Sequence, residues 1–430
     1  MEEDYKEIRK PIQQIELKNM TEDGIDKLKF IIGSCYEDIK SLFKNYCDMK
    51  DEYYDLVALW IIGTYLHEGF ETFPYLFANA MRGSGKTRFL KLVKALAKNG
   101  ELLTSLRESV LFRDAKGKTL CIDEFESIGS KENQALRELL NACYKKGMKV
   151  KRMKRKRTIT GEEYVVEEFE PYTPICMANI WGMEEVLADR CISLVLEKSN
   201  NGRITRLMED FEYSVIVTEV RKKLEVYLVQ LCSFFSEFGY MARWNLYIND
   251  KYQYTTTYNT YTTLTTQTTP IKNSPFIKKE LHFLEIFNKI WETNINGRNL
   301  ELMMPLFLIA DFISPEIFEK ILIIAKKTTE DKKDSEMMES RDVMLIDFIS
   351  QMGIDRDFKS IKTFTNEFRG FAGDEEGDEK WINSRWIGRA LKRLSLVLDK
   401  RRMKDGMEII VDVQKAIEKI KIFRNEVKNE

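Results

Sequence analysis

The chain is poor in histidine: among 430 residues there are two, His67 and His282. A metal centre built on imidazoles does not fit that supply. Its seven cysteines, at 35, 47, 121, 143, 176, 191 and 232, include no Cys-x-x-Cys pair. Cys121 and Cys176 fall in apolar strand candidates. The set therefore reads as buried thiols of a reducing compartment, not as disulfides or zinc ligands. An excess of one charge is also missing. Lys and Arg total 68 against 69 Asp and Glu, so net charge says nothing about partners and only local charge can. No apolar run is long enough to span a bilayer; the longest, Leu56 to Leu66, falls well short of the ~20 residues required. The acidic, polar start does not read as a signal peptide. These absences point to a cytoplasmic chain without a membrane partner. The length suggests two or three domains and ample core.

What is there begins with Ala80-Met81-Arg82-Gly83-Ser84-Gly85-Lys86-Thr87. It lies between an apolar strand candidate, Tyr75 to Ala78, and a helix candidate from Lys86 to about Ala97. Strand, glycine-rich loop and helix in that order read as a phosphate-binding loop. Gly83 and Gly85, flanking Ser84, let backbone N–H groups turn toward phosphates, and the helix N-terminus adds partial positive charge. Lys86 can reach the phosphates and the Thr87 hydroxyl can ligate Mg²⁺. The expected cofactors are ATP and Mg²⁺. Ala80 stands where the usual pattern has its first glycine. The bland alternative is a chance Gly-Ser-Gly turn before a helix.

Hydrolysis needs more than this loop. Thr119 to Ile122 is a short apolar run ending in Asp123 and Glu124, as expected for a buried parallel strand whose end faces a ligand. Asp123 would hold Mg²⁺ and Glu124 would take the proton of the attacking water; the alternative is an ordinary strand ending in solvated acids. A third strand candidate, Pro174 to Ala178, ends at Asn179, which reads either as a polar sensor of the γ-phosphate or as a turn-forming residue. Arg190 opens an apolar run to Leu196. It reads either as a finger reaching a neighbouring subunit's nucleotide or as a salt-bridge partner of Asp189 or another nearby acid.

Two segments carry local positive charge. Lys145 to Arg157 is densely basic, with Lys149, Lys151, Arg152, Lys154 and Arg155 among its members. After a turn at 158–161, the run Glu162 to Glu170 is acidic and β-prone. Together they predict a hairpin over 149–168 that grips a nucleic-acid backbone, or one whose two strands neutralise each other. Near the C-terminus, a helix from Ser384 to Leu398 has Ile387, Ala390, Leu391, Leu394 and Leu398 inward. Arg385, Arg389, Lys392 and Arg393 lie mostly on its other face. A basic strand with Arg401 and Arg402, a turn at Asp405-Gly406 and a return strand follow. This is a winged-helix pattern, suited to duplex DNA or to docking a protein.

The remaining organisation is coarser. Residues 1–73 read as a helical segment, 74–202 as the ATPase core, and 203–330 as a helical lid. A Thr/Tyr-rich tract over 250–272 reads as a surface insertion. Residues 331–341 read as a charged linker and 342–430 as the winged-helix domain.

The run Leu59 to Leu66, the loop ending Gly85-Lys86-Thr87, Leu111-Phe112-Arg113, Thr119 to Glu124, Glu138 to Asn141, the Pro174 strand and Leu187-Ala188-Asp189-Arg190 together resemble a known group. They are similar, in order, to the helicase-like P-loop ATPases of plasmids, viruses and integrated elements, often linked to a primase. The similarity runs weakly on through Gly297 to Leu306. Only the Lys86 and Asp123 motifs are specific by themselves. The resemblance implies an AAA+-like α/β core related to superfamily 3 helicases, a hexameric homo-oligomer, Asn179 as sensor and Arg190 as trans finger. It makes an ATP-driven DNA helicase or translocase for a mobile element's replication the leading expectation. No primase or polymerase segment is seen, so primer synthesis would belong to a separate protein. The alternatives are an origin initiator or loader that switches without unwinding, and a defence or protein-remodelling ATPase.

Overall fold

The computed structural model describes residues 22–423 apart from 81–82, 105–107, 124–133, 159–160, 180–184, 238–239, 253–274, 340, 354–356, 375–378, 380 and 404–405. The chain divides between Ala325 and Lys326 into two compact units.

In the first unit, α1 (Glu22–Tyr46) and α2 (Asp51–Leu66) precede β1 (Tyr75–Ala80), α3 (Lys86–Leu96), β2 (Gly100–Leu103), α4 (Glu108–Asp114), β3 (Thr119–Ile122) and α5 (Gln134–Cys143). A hairpin of β4 (Val150–Thr158) and β5 (Gly161–Phe169) comes next, then β6 (Ile175–Asn179), α6 (Glu185–Ala188) and β7 (Cys191–Leu196). Five strands form one parallel sheet in the order β2-β3-β6-β1-β7, and the hairpin is a separate two-stranded sheet.

Strand periodicity decides what each face covers. Leu76, Ala78 and Ala80 join one apolar cluster with Cys121 and Cys176, while Tyr75 and Phe77 join another with Leu120, Ile122, Ile175 and Met177. The first cluster includes α3, and the second includes residues of α4, α5 and α6. Crossover handedness accounts for this division. From β1 the chain crosses to the far edge at β2, then works back through β3 and β6 to β7. Right-handed crossovers in opposite directions put their helices on opposite faces.

α2 is buried from Tyr53 to Leu66. A helix apolar all round belongs in a core, and this one lies under the first face. Its Trp60 indole donates to the Pro74 carbonyl at 2.8 Å, and the Tyr65 hydroxyl donates to the Leu96 carbonyl at 2.9 Å. Among the described residues no helix is long and apolar enough to cross a membrane.

The region after β7 is helical: α7 (Val215–Glu237), α8 (Tyr240–Tyr252), α9 (Pro275–Glu292), α10 (Gly297–Ile313) and α11 (Pro315–Glu339). Leu224, Leu228 and Leu231 of α7 and Leu306 to Ala310 of α10 share one cluster with α1, α2 and the sheet. The charged stretch expected as a linker over 331–341 is helical to Glu339. Its Lys, Glu and Met residues are good helix formers and it has no Gly or Pro. The Thr/Tyr tract beyond Tyr252 lies outside the described residues.

The second unit contains α12 (Arg341–Ser350), β8 (Lys359–Ser360), α13 (Ile361–Phe371), α14 (Ser384–Leu394), β9 (Val397–Met403), β10 (Gly406–Val411) and α15 (Val413–Phe423). Its sheet is antiparallel in the order β8-β10-β9. Phe348, Phe364, Phe368, Ile387 and Leu391 form its core. Ser360 and Asn383 cap α13 and α14 by accepting from Thr363 N and Trp386 N. The expected helix to Leu398 stops four residues early. Ser395 is left-handed at φ 55°, its N–H bonds to Lys392 O, and Leu396 N–H bonds back to Leu391 O. That pair of bonds is a Schellman stop. Leu398 consequently lies in β9 and is exposed, not on the inward stripe of a helix.

Candidate functional site

The C-terminal edge of the parallel sheet carries the glycine-rich loop, Lys86, Thr87, Asp123 and Asn179. β1 ends at Ala80, and the loop turns through Gly83 and Gly85, both left-handed at φ 78° and 85°. Side chains rarely adopt that conformation. The space where a Cβ would stand is open at both glycines. Gly85 is the N-cap of α3, and no side chain caps the helix. Its first N–H groups therefore lack an intrahelical partner and carry the positive end of the helix dipole.

Asp123 follows β3 directly. Lys86 Nζ lies 3.0 Å from Asp123 Oδ1, and Thr87 Oγ1 donates to Asp123 Oδ2 at 2.9 Å. Both ionic side chains are largely buried, at 13% and 14% exposure. Asp123 Oδ1 accepts no well-aligned hydrogen bond, so the Lys86 contact is an ion pair without hydrogen-bond geometry. Ser84 Oγ is buried and has no hydrogen-bond partner among the described residues. Buried polar atoms without partners are costly and call for an explanation. Donors without partners, a lysine, a hydroxyl and open room above two glycines fit a phosphate group. Thr87 and Asp123 supply oxygens of the kind that hold Mg²⁺ beside phosphates.

Asn179 is the last residue of β6, 4% exposed, in register with Asn79 of β1. The parallel register sets Met177 opposite Ile122, so Asn179 and Asp123 emerge from the same edge of neighbouring strands. Glu124 lies outside the described residues, as do Met81 and Arg82.

Arg190 is elsewhere. It precedes β7, and its carbonyl accepts from Tyr75 N–H at the beginning of β1. Lys86 follows the end of the same strand. At the usual rise the six residues of β1 separate the two by roughly 20 Å. One chain therefore does not bring Arg190 to Lys86. Nor does Arg190 pair with Asp189. Its Nε donates to Asn141 O at 3.1 Å, another N–H donates to Val186 O, and the guanidinium lies 5.3 Å from the Tyr144 ring centre.

A cleft of about 790 Å³ opens beside the loop. Gly83 to Phe89 form one wall, with Tyr46 to Met49 and Lys198, Ser199, Ile204, Thr205 and Glu209 on the others. These outer walls were not visible from the sequence. Arg88 ties them to α3: it donates to Ile204 O and Leu207 O at 2.8 Å each, and to Tyr46 O at 3.4 Å. Ser199 Oγ donates to Asp48 Oδ2 at 2.7 Å. The only sequence signal was the position of Arg88, directly after Thr87 in the same helix.

The basic and acidic runs do pair as a hairpin, with Lys151 opposite Glu168 and Arg152 opposite Glu167. Four of its cations have acid partners among the described residues. Lys149 and Lys151 lie 3.1 and 3.0 Å from Glu168, Lys154 lies 2.8 Å from Glu167, and Arg152 pairs with Glu108. Lys151 and Lys149 hold the Glu168 carboxyl below its ordinary range. Arg155 is exposed, as are Met153 and Tyr164.

In the second unit, Arg385, Arg389 and Lys392 form an exposed stripe on α14, and Arg402 is exposed on β9. None of these four makes an ion pair among the described residues. Arg393 and Arg401 do: Arg393 Nη2 lies 2.6 Å from Asp342 Oδ1, and Arg401 Nε lies 2.7 Å from Glu408 Oε2. The Arg401 guanidinium also lies 4.0 Å from the Phe358 ring centre.

No protein-family model and no curated protein matches the chain.

Proposed function

We propose that this chain is an ATP-driven DNA helicase or translocase, acting as a homo-oligomer of six copies in the replication of a mobile element. The observation that carries the nucleotide part is the Lys86–Asp123–Thr87 cluster at an uncapped helix start, beside a buried Ser84 hydroxyl with no hydrogen-bond partner among the described residues. In this reading the loop is a P-loop, and the five-strand sheet is an AAA+-like core. The position of β1, between two strands that come later in the chain, is a switch point of the kind that binds ligands at strand ends.

Bound Mg–ATP would supply the reactive phosphoanhydride. Lys86 would leave Asp123 for the phosphates, and Asp123 with Thr87 would then hold the metal. Glu124 would accept the proton of the attacking water, and Asn179 would orient that water or the γ-phosphate. The distance of Arg190 from its own Lys86 supports a finger acting on a neighbour's nucleotide, a device worth ~10³–10⁵ in rate. DNA would meet the hairpin and the second unit, read as a winged helix with α14 and β9 as its contact surface. Strand displacement on a forked duplex tests the reading. ATP-dependent unwinding that is lost in Lys86→Ala supports it; hydrolysis without displacement contradicts it.

One observation favours a second reading, a DNA-binding ATPase switch that does not unwind. Lys149, Lys151, Arg152 and Lys154 already have carboxylate partners, which lowers their attraction for a strand. ATP-dependent DNA binding without displacement would decide for it.

A further inference from the structure

Asp189 and Arg190 are neighbours in sequence, and an arginine beside an aspartate would ordinarily be drawn to it. Here the aspartate faces another cation. Arg298, near the start of α10, holds its Nε 3.7 Å from Asp189 Oδ2 and its Nη1 3.5 Å from Glu301 Oε2. It donates to the Tyr144 hydroxyl, and its guanidinium lies 4.9 Å from the Tyr144 ring centre. Arg190 lies against the same ring at 5.3 Å. Tyr144 is almost fully buried, at 5% exposure, and Lys145 extends the charge cluster by pairing with Glu301 at 2.9 Å.

The consequence for Arg190 is chemical. A guanidinium has five N–H donors. The Asn141 and Val186 carbonyls fix its orientation but take none of its charge. Among the described residues no carboxylate lies within ion-pair distance of it. It is a half-buried cation, aimed by carbonyls and by an aromatic ring, with donors to spare for an anion.

We propose that Arg298 is a positioning residue for Arg190. It draws Asp189 to itself and shares the Tyr144 ring, so that Arg190 stays without a carboxylate and can receive the nucleotide phosphates held by a second copy of this chain. This rests on the shared-site reading above and adds what keeps the finger available. Without Arg298, Asp189 turns to the adjacent guanidinium and neutralises it. The cost then falls on turnover, not on nucleotide binding, because the loop around Lys86 is at the other end of the strands.

The test compares Arg298→Ala, Asp189→Asn and the double variant with the full chain. Three quantities are read: saturated ATP turnover, affinity for a fluorescent ATP analogue, and the rate at which phenylglyoxal modifies Arg190, followed by peptide mass spectrometry. Arg298→Ala should lower turnover tenfold or more and slow modification of Arg190, with affinity changed less than twofold. Adding Asp189→Asn should restore turnover to within threefold of wild type and restore the modification rate. Asp189→Asn alone should keep full turnover. A purely structural role for Arg298 would not be rescued by removing a second charge. Wild-type turnover and reactivity in Arg298→Ala overturn the proposal, as does a loss that Asp189→Asn fails to relieve. Arg190→Ala separates this failure from that of the shared site. Turnover intact in Arg190→Ala removes both readings; turnover lost there but intact in Arg298→Ala removes only the role of Arg298.

Discussion

Lys86 Nζ lies 3.0 Å from Asp123 Oδ1, while Thr87 donates to the other oxygen of the same carboxylate. Three groups from two elements thus meet at one point. Both side chains are largely buried, so the cost of desolvating two charges offsets their attraction and the pair adds little net stability. Lys86→Ala should lower the melting midpoint, because it leaves the largely buried Asp123 carboxylate without its cation, and should abolish binding of an ATP analogue. Asp123→Asn should retain binding without Mg²⁺ and lose the Mg²⁺-dependent gain. Calorimetric titration with and without the metal reads both.

Gly85 has a backbone that only glycine adopts cheaply, and open space beside it. Gly85→Ala should cost about 1–2 kcal/mol of stability from the left-handed φ alone and weaken nucleotide binding by tilting the first turn of α3. Gly202→Ala, where φ is ordinary and space is equally open, should be near neutral. Equal losses in thermal melts and titrations of both variants would refute the conformational argument.

Several of these elements could be read directly from the residues. The strand before Gly83, the helix after it, the acid after Ile122 and the end of β6 at Asn179 follow from apolar runs bounded by polar or glycine residues. These signals are local, and local signals survive folding. What could not be read depends on residues far apart in the chain. Nothing in Tyr46 or in Ile204 and Leu207 announces that Arg88 hydrogen-bonds to all three. Arg298 lies over a hundred positions from the aspartate it engages. β2 was missed because its four residues are only half-buried, so its apolar pattern is faint at the sheet edge. The helix over 331–339 was missed because a dense charge run looks the same in a solvated helix as in a linker.

His67 gives a pH signature. Burial holds its imidazole down to about 4, and Thr64 O lies 2.9 Å from Nδ1. A folded-state value below the unfolded 6.5 means stability is fully present above pH 6.5 and lost as pH falls toward 4. Between pH 7.5 and pH 5 the wild type should lose about 2 kcal/mol from this group. Urea midpoints of His67→Gln should lack that part of the slope; an identical slope would show that His67 is not held neutral.

The two basic surfaces should respond differently to salt. Replacing Arg385, Arg389 and Lys392 with glutamine should reduce the log–log salt slope of duplex DNA affinity by about 2–3, close to one per lost phosphate contact. The same change at Lys149, Lys151 and Lys154 should reduce it by less than about 1, because Glu167 and Glu168 already engage those lysines. Equal reductions would mean that the hairpin ion pairs open on DNA.

Mixing two inactive variants shows whether a nucleotide site is shared between copies. Lys86→Ala keeps Arg190, and Arg190→Ala keeps the loop. If each nucleotide site is completed by a neighbouring copy, the pair mixed in equal amounts should regain DNA-stimulated ATP hydrolysis that neither shows alone. A mixture that co-assembles and stays inactive would contradict the account.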